Sequence, residues 1–227
     1  MNIQQHEKSI ELVYEHSDFI IVHKPSGLDV HNKAGNLIDL LELELKLRLH
    51  AVHRLDQETS GLLLLAKTAQ ATTQLQTALS SSQSQKIYLA IVKGQLASKS
   101  GIWSMPISAK AEGRKQPAGL AKNRRPAQTE YTLVDQTPWL SLLTCRLQTG
   151  RQHQIRKHCA LAGYPIIGDQ RYGDPKHTRL MAHKFKFNSL ALHAYHLSFN
   201  YLGNEYSFIE RPPSNWEAFG LNHNLQP

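Results

Sequence analysis

Asp56 stands in HRLDQETSGLLLLAKT, residues 53 to 68, just after His53 and Arg54. Leu62 to Leu65 are a short apolar block closed by Ala66 and Lys67, which reads as a buried strand. Thr59, Ser60 and Gly61 read as a turn before it. Asp56 then lies at the edge of a core, beside an arginine. A carboxylate there is either a turn-capping group or a reactive one. In general, desolvation favours the neutral acid, and a guanidinium nearby favours the carboxylate. A second stretch, TGRQHQIRKH at 149 to 158, carries Arg151, His153, Arg156 and Lys157. It is either an exposed helix start with solvated charges or an anion site. The second reading rests on backbone N–H groups after Gly150 and two arginines gathered at one helix start.

Other chemistries find less support. His153 and His158 lie five apart with Cys159 adjacent, and His193 and His196 lie three apart. Neither set has the carboxylate or second cysteine of a familiar zinc pattern, so no metal is expected. G-x-S-x-G is absent, and neither Cys145 nor Cys159 lies in an obviously activating setting. The 13 glycines are scattered without a phosphate loop. Nucleotide hydrolysis and dinucleotide redox chemistry are therefore not indicated, and no cofactor is expected.

The elements that must position Asp56 are readable in part. Residues 10 to 14 and 18 to 23 predict two short strands, and KPSGL at 24 to 28 a turn. Leu alternates with charged residues from Leu41 to Leu49, a strand-like period. Good helix formers and the Asn36/Asp39 spacing nonetheless favour a helix over 37 to 47. Thr68 to Ser80 predicts a capped helix with Leu75 and Leu79 on one face. Residues 86 to 93 predict a strand, 127 to 135 and 139 to 147 a hairpin, and 190 to 199 with 205 to 209 a final strand pair. Between them, RQHQIRKHCALAG predicts a helix with Ile155 and Cys159 on its inner face, closed by Gly163. Residues 98 to 126 read as a mobile basic loop carrying Lys122, Arg124 and Arg125. Many strands with few helices and no regular βαβ alternation indicate an α+β fold with a largely antiparallel or mixed sheet.

Composition bounds the function. The chain has 227 residues and a formal charge of +8, from 26 Lys and Arg against 18 Asp and Glu. That balance suits a polyanion such as a nucleic acid. The polar, mixed-charge start does not resemble a signal peptide, and no apolar run is long enough to span a bilayer. A reducing cytoplasm is the expected location, with both thiols acting as small buried hydrophobes.

Taken together, several motifs carry a resemblance. They are HKPSGLDVH at 23 to 31, HRLDQETSG, and K-x-Y-x-A-x-V-x-G through Lys86, Tyr88, Ala90, Val92 and Gly94. PAQTEY at 126 to 131, TGRQHQIRKH and YPIIGD at 164 to 169 complete the set. In this order, over roughly residues 10 to 212, the chain resembles the RluA-type pseudouridine synthases. The resemblance implies the pseudouridine synthase fold: one catalytic domain over 1–227, with flanking helices on a central mixed sheet and an RNA cleft. It also implies a short member without the S4 RNA-binding module that many relatives carry.

The same resemblance implies a reaction. A uridine within RNA is isomerised: the C1′–N1 bond breaks, uracil rotates, and C1′ joins C5. Asp56 matches the essential aspartate, acting as nucleophile or as base. Arg156 matches its counter-charge. Tyr88 matches a tyrosine expected to stack on the uracil and to take the C5 proton; otherwise it is a core tyrosine. Leu147 and Ile155 line the pocket or are plain core. The target base must leave its stack to reach Asp56, and Arg54 is placed to fill the gap or hold a phosphate. Lys24, Arg151, His153, Lys157, Lys122, Arg124 and Arg125 are the expected backbone contacts. The expected partner is a stem-loop of ribosomal or transfer RNA bound by a monomer, with no protein partner implied. Two rivals remain. One is a non-catalytic RNA-binding protein on the same fold. The other is a hydrolase pairing Asp56 with Glu58. Segments 98 to 126 and 174 to 188 are left as candidates for substrate selection.

Overall fold

Four leucines in a row, Leu62 to Leu65, are all buried, and the reason is that both faces of their strand are covered. The computed structural model describes residues 10–222. In chain order its elements are β1 (Glu11–Glu15), β2 (Phe19–Lys24), α1 (Leu37–Leu45), β3 (His50–Ala51), β4 (Ser60–Ala66), α2 (Ala69–Ser80), β5 (Gln85–Lys93) and β6 (Ser100–Trp103). They continue with β7 (Ile107–Ser108), β8 (Arg124–Arg125), β9 (Thr129–Gln136), β10 (Leu140–Leu147), α3 (Gln154–Leu161), α4 (Pro175–Phe185), β11 (Leu192–Tyr201) and β12 (Asn204–Ile209). On β4, Leu62 and Leu64 pack with Phe19, Leu75, Leu79 and Phe199 under α2. Leu63 and Leu65 join the larger core with Leu37 and Leu41 of α1.

The fold is α+β. One large sheet runs β1-β2-β4-β11-β5-β10-β9-β6, with β3 beside β4 and β12 beside β11, while β7 and β8 form a separate pair. Every pairing is antiparallel except β4 with β11, which touch in parallel only through His193–Ser60 and Ala194–Gly61. From His196 onward β12 pairs with β11 instead. The sheet therefore has a short seam at the start of β4, directly after Asp56. Gly61 makes this close approach possible. Its φ is +108°, and a Cβ would run into the Ala194 backbone. Ser60 and Gly61 thus belong to the strand, and the turn expected there sits earlier in the chain.

The helix caps follow from local chemistry. Asn36 caps α1 by accepting from the Asp39 N–H at 3.0 Å, and Thr68 caps α2 by accepting from the Ala71 N–H at 3.1 Å. Helix wins over the alternating pattern in α1, at the cost of leaving Leu43 79% exposed. α4 lies in a segment left open by the sequence reading. Its Asp174 cap, with Pro175 opening the helix, is a start signal that went unread. The expected hairpin and the final strand pair are present as β9–β10 and β11–β12.

Candidate active site

Asp56 opens a turn closed by the Thr59 N–H donating to the Asp56 carbonyl at 3.0 Å. That turn is stitched to the KPSGL loop. The Lys24 ammonium donates to the carbonyls of Pro25 (2.9 Å), Leu28 (2.8 Å) and Gln57 (2.9 Å). Ser26 Oγ donates to the Glu58 carbonyl at 2.6 Å, and the Gly27 N–H to the Gln57 carbonyl at 2.8 Å. Lys24 is fully buried. It was expected to hold RNA phosphate; instead it spends its three donors on backbone carbonyls that set the height of the Asp56 turn.

Lys157 is corrected in the same way. It too is fully buried, and its ammonium donates to the carbonyls of Ser108 (2.8 Å) and Lys110 (2.7 Å). His158 bonds Thr129 Oγ1 at 2.9 Å and the Met105 carbonyl at 3.0 Å. These contacts pin part of the 98 to 126 segment to α3, so that stretch is an anchored loop. Further along, Arg124 is half-buried and donates to the Gly119 carbonyl at 2.9 Å, while Lys122 and Arg125 are exposed. Arg54 and Arg151 are exposed at the cleft. A salt titration of RNA affinity separates these groups. Arg54→Ala and Arg151→Ala should each lower the slope of log K against log salt by about 0.7 to 0.9. Lys24→Met should leave that slope unchanged and lower the melting temperature.

Arg156 on α3 is the centre of the charge arrangement. Its Nε and Nη2 donate to the two carboxylate oxygens of Asp169, each at 2.9 Å. Its Nη1 reaches Asp56 Oδ2 at 3.3 Å and Glu58 Oε2 at 3.2 Å. Arg156 and Asp169 side chains are 1% exposed, against 21% for Asp56 and 50% for Glu58. Burial alone would weaken the charge on Arg156, but the Asp169 hydrogen bonds and the other carboxylates push its pKa above the ordinary value. Burial likewise opposes ionisation of Asp169. Its bonds to Arg156 and the N–H groups of Tyr172 and Arg171 outweigh that and hold it below the usual range. One face of the guanidinium lies over the Tyr172 ring, 5.4 Å from its centroid. The fork is therefore rigid, and Asp56 meets a cation whose position Asp169 dictates.

The cleft beside Asp56 encloses about 350 Å³. It is lined by Tyr88 and Lys86 from β5, Leu147 from the end of β10, Ile155 and Arg156 from α3, and Leu192 from β11. Tyr88 is buried, and desolvation together with the Asp56 charge raises its pKa, keeping the hydroxyl protonated. His53 accepts from the Leu64 N–H at 3.1 Å through Nε2, and burial with the nearby Lys86 charge lowers it to about 4. A second, more polar hollow of about 550 Å³ adjoins across Asp56, edged by Arg54, Arg151 and Arg171. His153 faces Asp56 rather than the outer rim, with Nε2 3.7 Å from Asp56 Oδ1.

The structure thus brings Asp56, Tyr88, Arg156, Leu147, Ile155, Arg54, Arg151 and His153 around one cleft, and withdraws Lys24 and Lys157 from it. Sequence reasoning missed Asp169, Tyr172, Lys86 and Arg171. Asp169 closes the YPIIGD motif, and an acid after a buried apolar pair was its only signal. The histidines considered as metal ligands have other partners. His193 bonds Ser60 Oγ at 2.9 Å and the Glu210 carbonyl at 3.1 Å, and His196 bonds Ser207 Oγ at 3.0 Å.

Residues 18–161 match the family model described as RNA pseudouridylate synthase. Ribosomal large subunit pseudouridine synthase D of Neisseria meningitidis is 36% identical over 206 residues, covering 85% of this chain and 55% of the relative. Ribosomal large subunit pseudouridine synthase C of Escherichia coli is 34% identical, covering 88% and 66%. The synthase C of Pasteurella multocida is 31% identical, covering 99% and 67%. The chain thus spans between about half and two thirds of the length of these relatives. Among solved structures, human RNA Pseudouridylate Synthase Domain Containing 4 superposes with a TM-score of 0.77 at 24% identity, covering 93% of this chain and 94% of that one. Human RNA Pseudouridylate Synthase Domain Containing 1 gives 0.78 at 21%, covering 96% and 91%.

Proposed function

The chain belongs to the RNA pseudouridylate synthase family, and from that membership and the cleft around Asp56 we propose that it isomerises uridine to pseudouridine in structured RNA, with ribosomal large-subunit RNA as the first candidate substrate. The observation that supports it best is the Asp56–Arg156 pair at the mouth of a cleft lined by Tyr88. The C1′–N1 bond breaks, the uracil turns, C1′ bonds C5, and the proton lost from C5 is balanced by one gained at N1. Nothing is oxidised. Asp56 acts on the ribose or the base, while Arg156 holds its charge in place. Tyr88 offers a flat face for the uracil. Its hydroxyl must give up its own proton before it can take one from C5, and the ionised Asp56 beside it opposes that. Stacking is therefore its part at the start of the reaction.

The net charge of +8 and the arginine-edged hollow support an RNA strand passing over Asp56. The protein works as a monomer in the cytoplasm; two buried free thiols, Cys145 and Cys159, support a reducing compartment. The hydrolase reading fits the geometry less well. Asp56 and Glu58 both reach the same nitrogen of Arg156, whereas paired carboxylates in glycoside hydrolysis flank the bond they break. A pseudouridine map of ribosomal and transfer RNA from cells with the gene intact, deleted, or carrying Asp56→Asn tests the proposal. Loss of the same uridine modifications in both mutants supports it and names the substrate. An unchanged map, together with no product from purified protein on unmodified RNA, refutes it in favour of RNA binding alone.

A further inference from the structure

His153 has an unusual backbone for its place in the chain. It is the residue before the first turn of α3, where Ser, Asp or Asn with extended backbone normally accepts an N–H bond. His153 instead has φ +54° and ψ +28° and makes no side-chain cap. A left-handed conformation at a non-glycine residue is strained, because Cβ crowds the following carbonyl. Gln154 Oε1 instead ties down the loop before the helix, accepting from the Arg151 N–H at 3.1 Å and Thr149 Oγ1 at 2.7 Å. This backbone goes with a ring turned toward the carboxylate. Nδ1 lies 3.0 Å from the Tyr172 hydroxyl, Nε2 lies 3.7 Å from Asp56 Oδ1, and the side chain is 11% exposed.

We propose that His153, oriented by Tyr172, is the positioning residue for Asp56. The proposal rests on the pseudouridine synthase reading. A carboxylate facing Nε2 favours the ring proton on that nitrogen, which leaves Nδ1 to accept from the Tyr172 phenol. Arg156 holds Oδ2 at 3.3 Å, and His153 faces Oδ1, so the plane of the carboxylate is bracketed from both ends. At 3.7 Å the His153 contact is longer than a hydrogen bond, so the positioning role requires it to shorten in the substrate complex. The charged groups around His153 are Asp56, Glu58, Arg156 and Arg171, and burial is the main influence lowering its pKa, so the ring is neutral near pH 7.

Two variants test this. His153→Asn keeps a side chain that tolerates left-handed backbone but is too short to bridge to Asp56. Tyr172→Phe keeps the ring under Arg156 and removes only the hydroxyl. The single-turnover rate should fall about 100-fold in His153→Asn, with RNA affinity unchanged. Tyr172→Phe should show a smaller loss in the same parameter. The double variant should be no slower than His153→Asn alone, because both act through one ring. A wild-type rate in both single variants overturns the proposal. So does weakened RNA binding at an unchanged rate, which would make His153 a phosphate contact. Asp56→Asn, assayed in parallel, separates the two failures. If the parent makes pseudouridine, Asp56→Asn is inactive and His153→Asn is unimpaired, only the positioning role falls; if the parent itself makes none, the reading beneath it falls.

Discussion

Asp56→Asn should make no detectable pseudouridine in a single-turnover assay on unmodified RNA, a loss of at least about 10³-fold, while folding and binding RNA as before. The substitution keeps the shape of the side chain, removes its charge and leaves one oxygen to accept from Arg156. Its structural cost is small because Asp56 does not hold Arg156 in place. Asp169 makes two 2.9 Å bonds to that guanidinium, and Glu58 shares Nη1. Thermal stability should fall by no more than about 1 kcal/mol, the size of one weakened hydrogen bond at the edge of the Arg156 network. RNA affinity should hold or rise slightly, since one negative charge leaves an arginine-edged cleft. Filter binding and melting curves on the same preparation check both points. Near-normal product formation by this variant would remove Asp56 from the chemistry altogether. Equal losses of binding and product would make it a docking residue.

Several features of this site are written in local sequence, and several are not. Asp56, Tyr88 and Arg156 stand in motifs, and the geometry puts all three at one cleft. Strands and capped helices followed from periodicity and from Asn36 and Thr68. α3 defeats that kind of reasoning. Gln154, Arg156, Lys157 and His158 are all buried, in a helix whose mean hydropathy would place it on the surface. Each polar end is satisfied by a group distant in sequence: Thr129, Asp169, Ser108 and Met105. A polar residue reads as exposed unless its partners are known, and those partners come from three separate stretches of chain, around 105 to 108, 129 and 169. Lys24 is the same case. Its three carbonyl partners include Gln57, 33 residues away, so a lysine that looks like a phosphate contact becomes the clamp of the Asp56 turn. The seam between β4 and β11 was equally hidden, because Gly61 reads as a turn glycine until Ala194 is seen beside it.

Arg156→Met should lose both activity and stability, and the two losses can be pulled apart. Methionine fills much of the volume but leaves Asp169 buried at 1% exposure with no cation. Breaking a buried pair on one side costs about 3 to 5 kcal/mol. In the parent, Asp169 has its folded pKa held below the unfolded value near 3.9. Its stabilising contribution is therefore present above that unfolded value and fades as pH falls through the folded one. In Arg156→Met the sign reverses, because burial, opposed now only by the Tyr172 and Arg171 N–H groups, raises the folded pKa. The variant should be weakest near neutral pH, and its melting temperature should approach the parent's as the buffer is acidified and the acid becomes neutral. Adding Asp169→Leu should recover much of the stability at pH 7, since no stranded charge is left. Activity should not recover, because Asp56 still lacks its counter-charge. A stable double variant that makes pseudouridine at the parent rate would show that Arg156 serves the fold alone. A stable, inactive one assigns its Nη1 contact with Asp56 to the reaction itself.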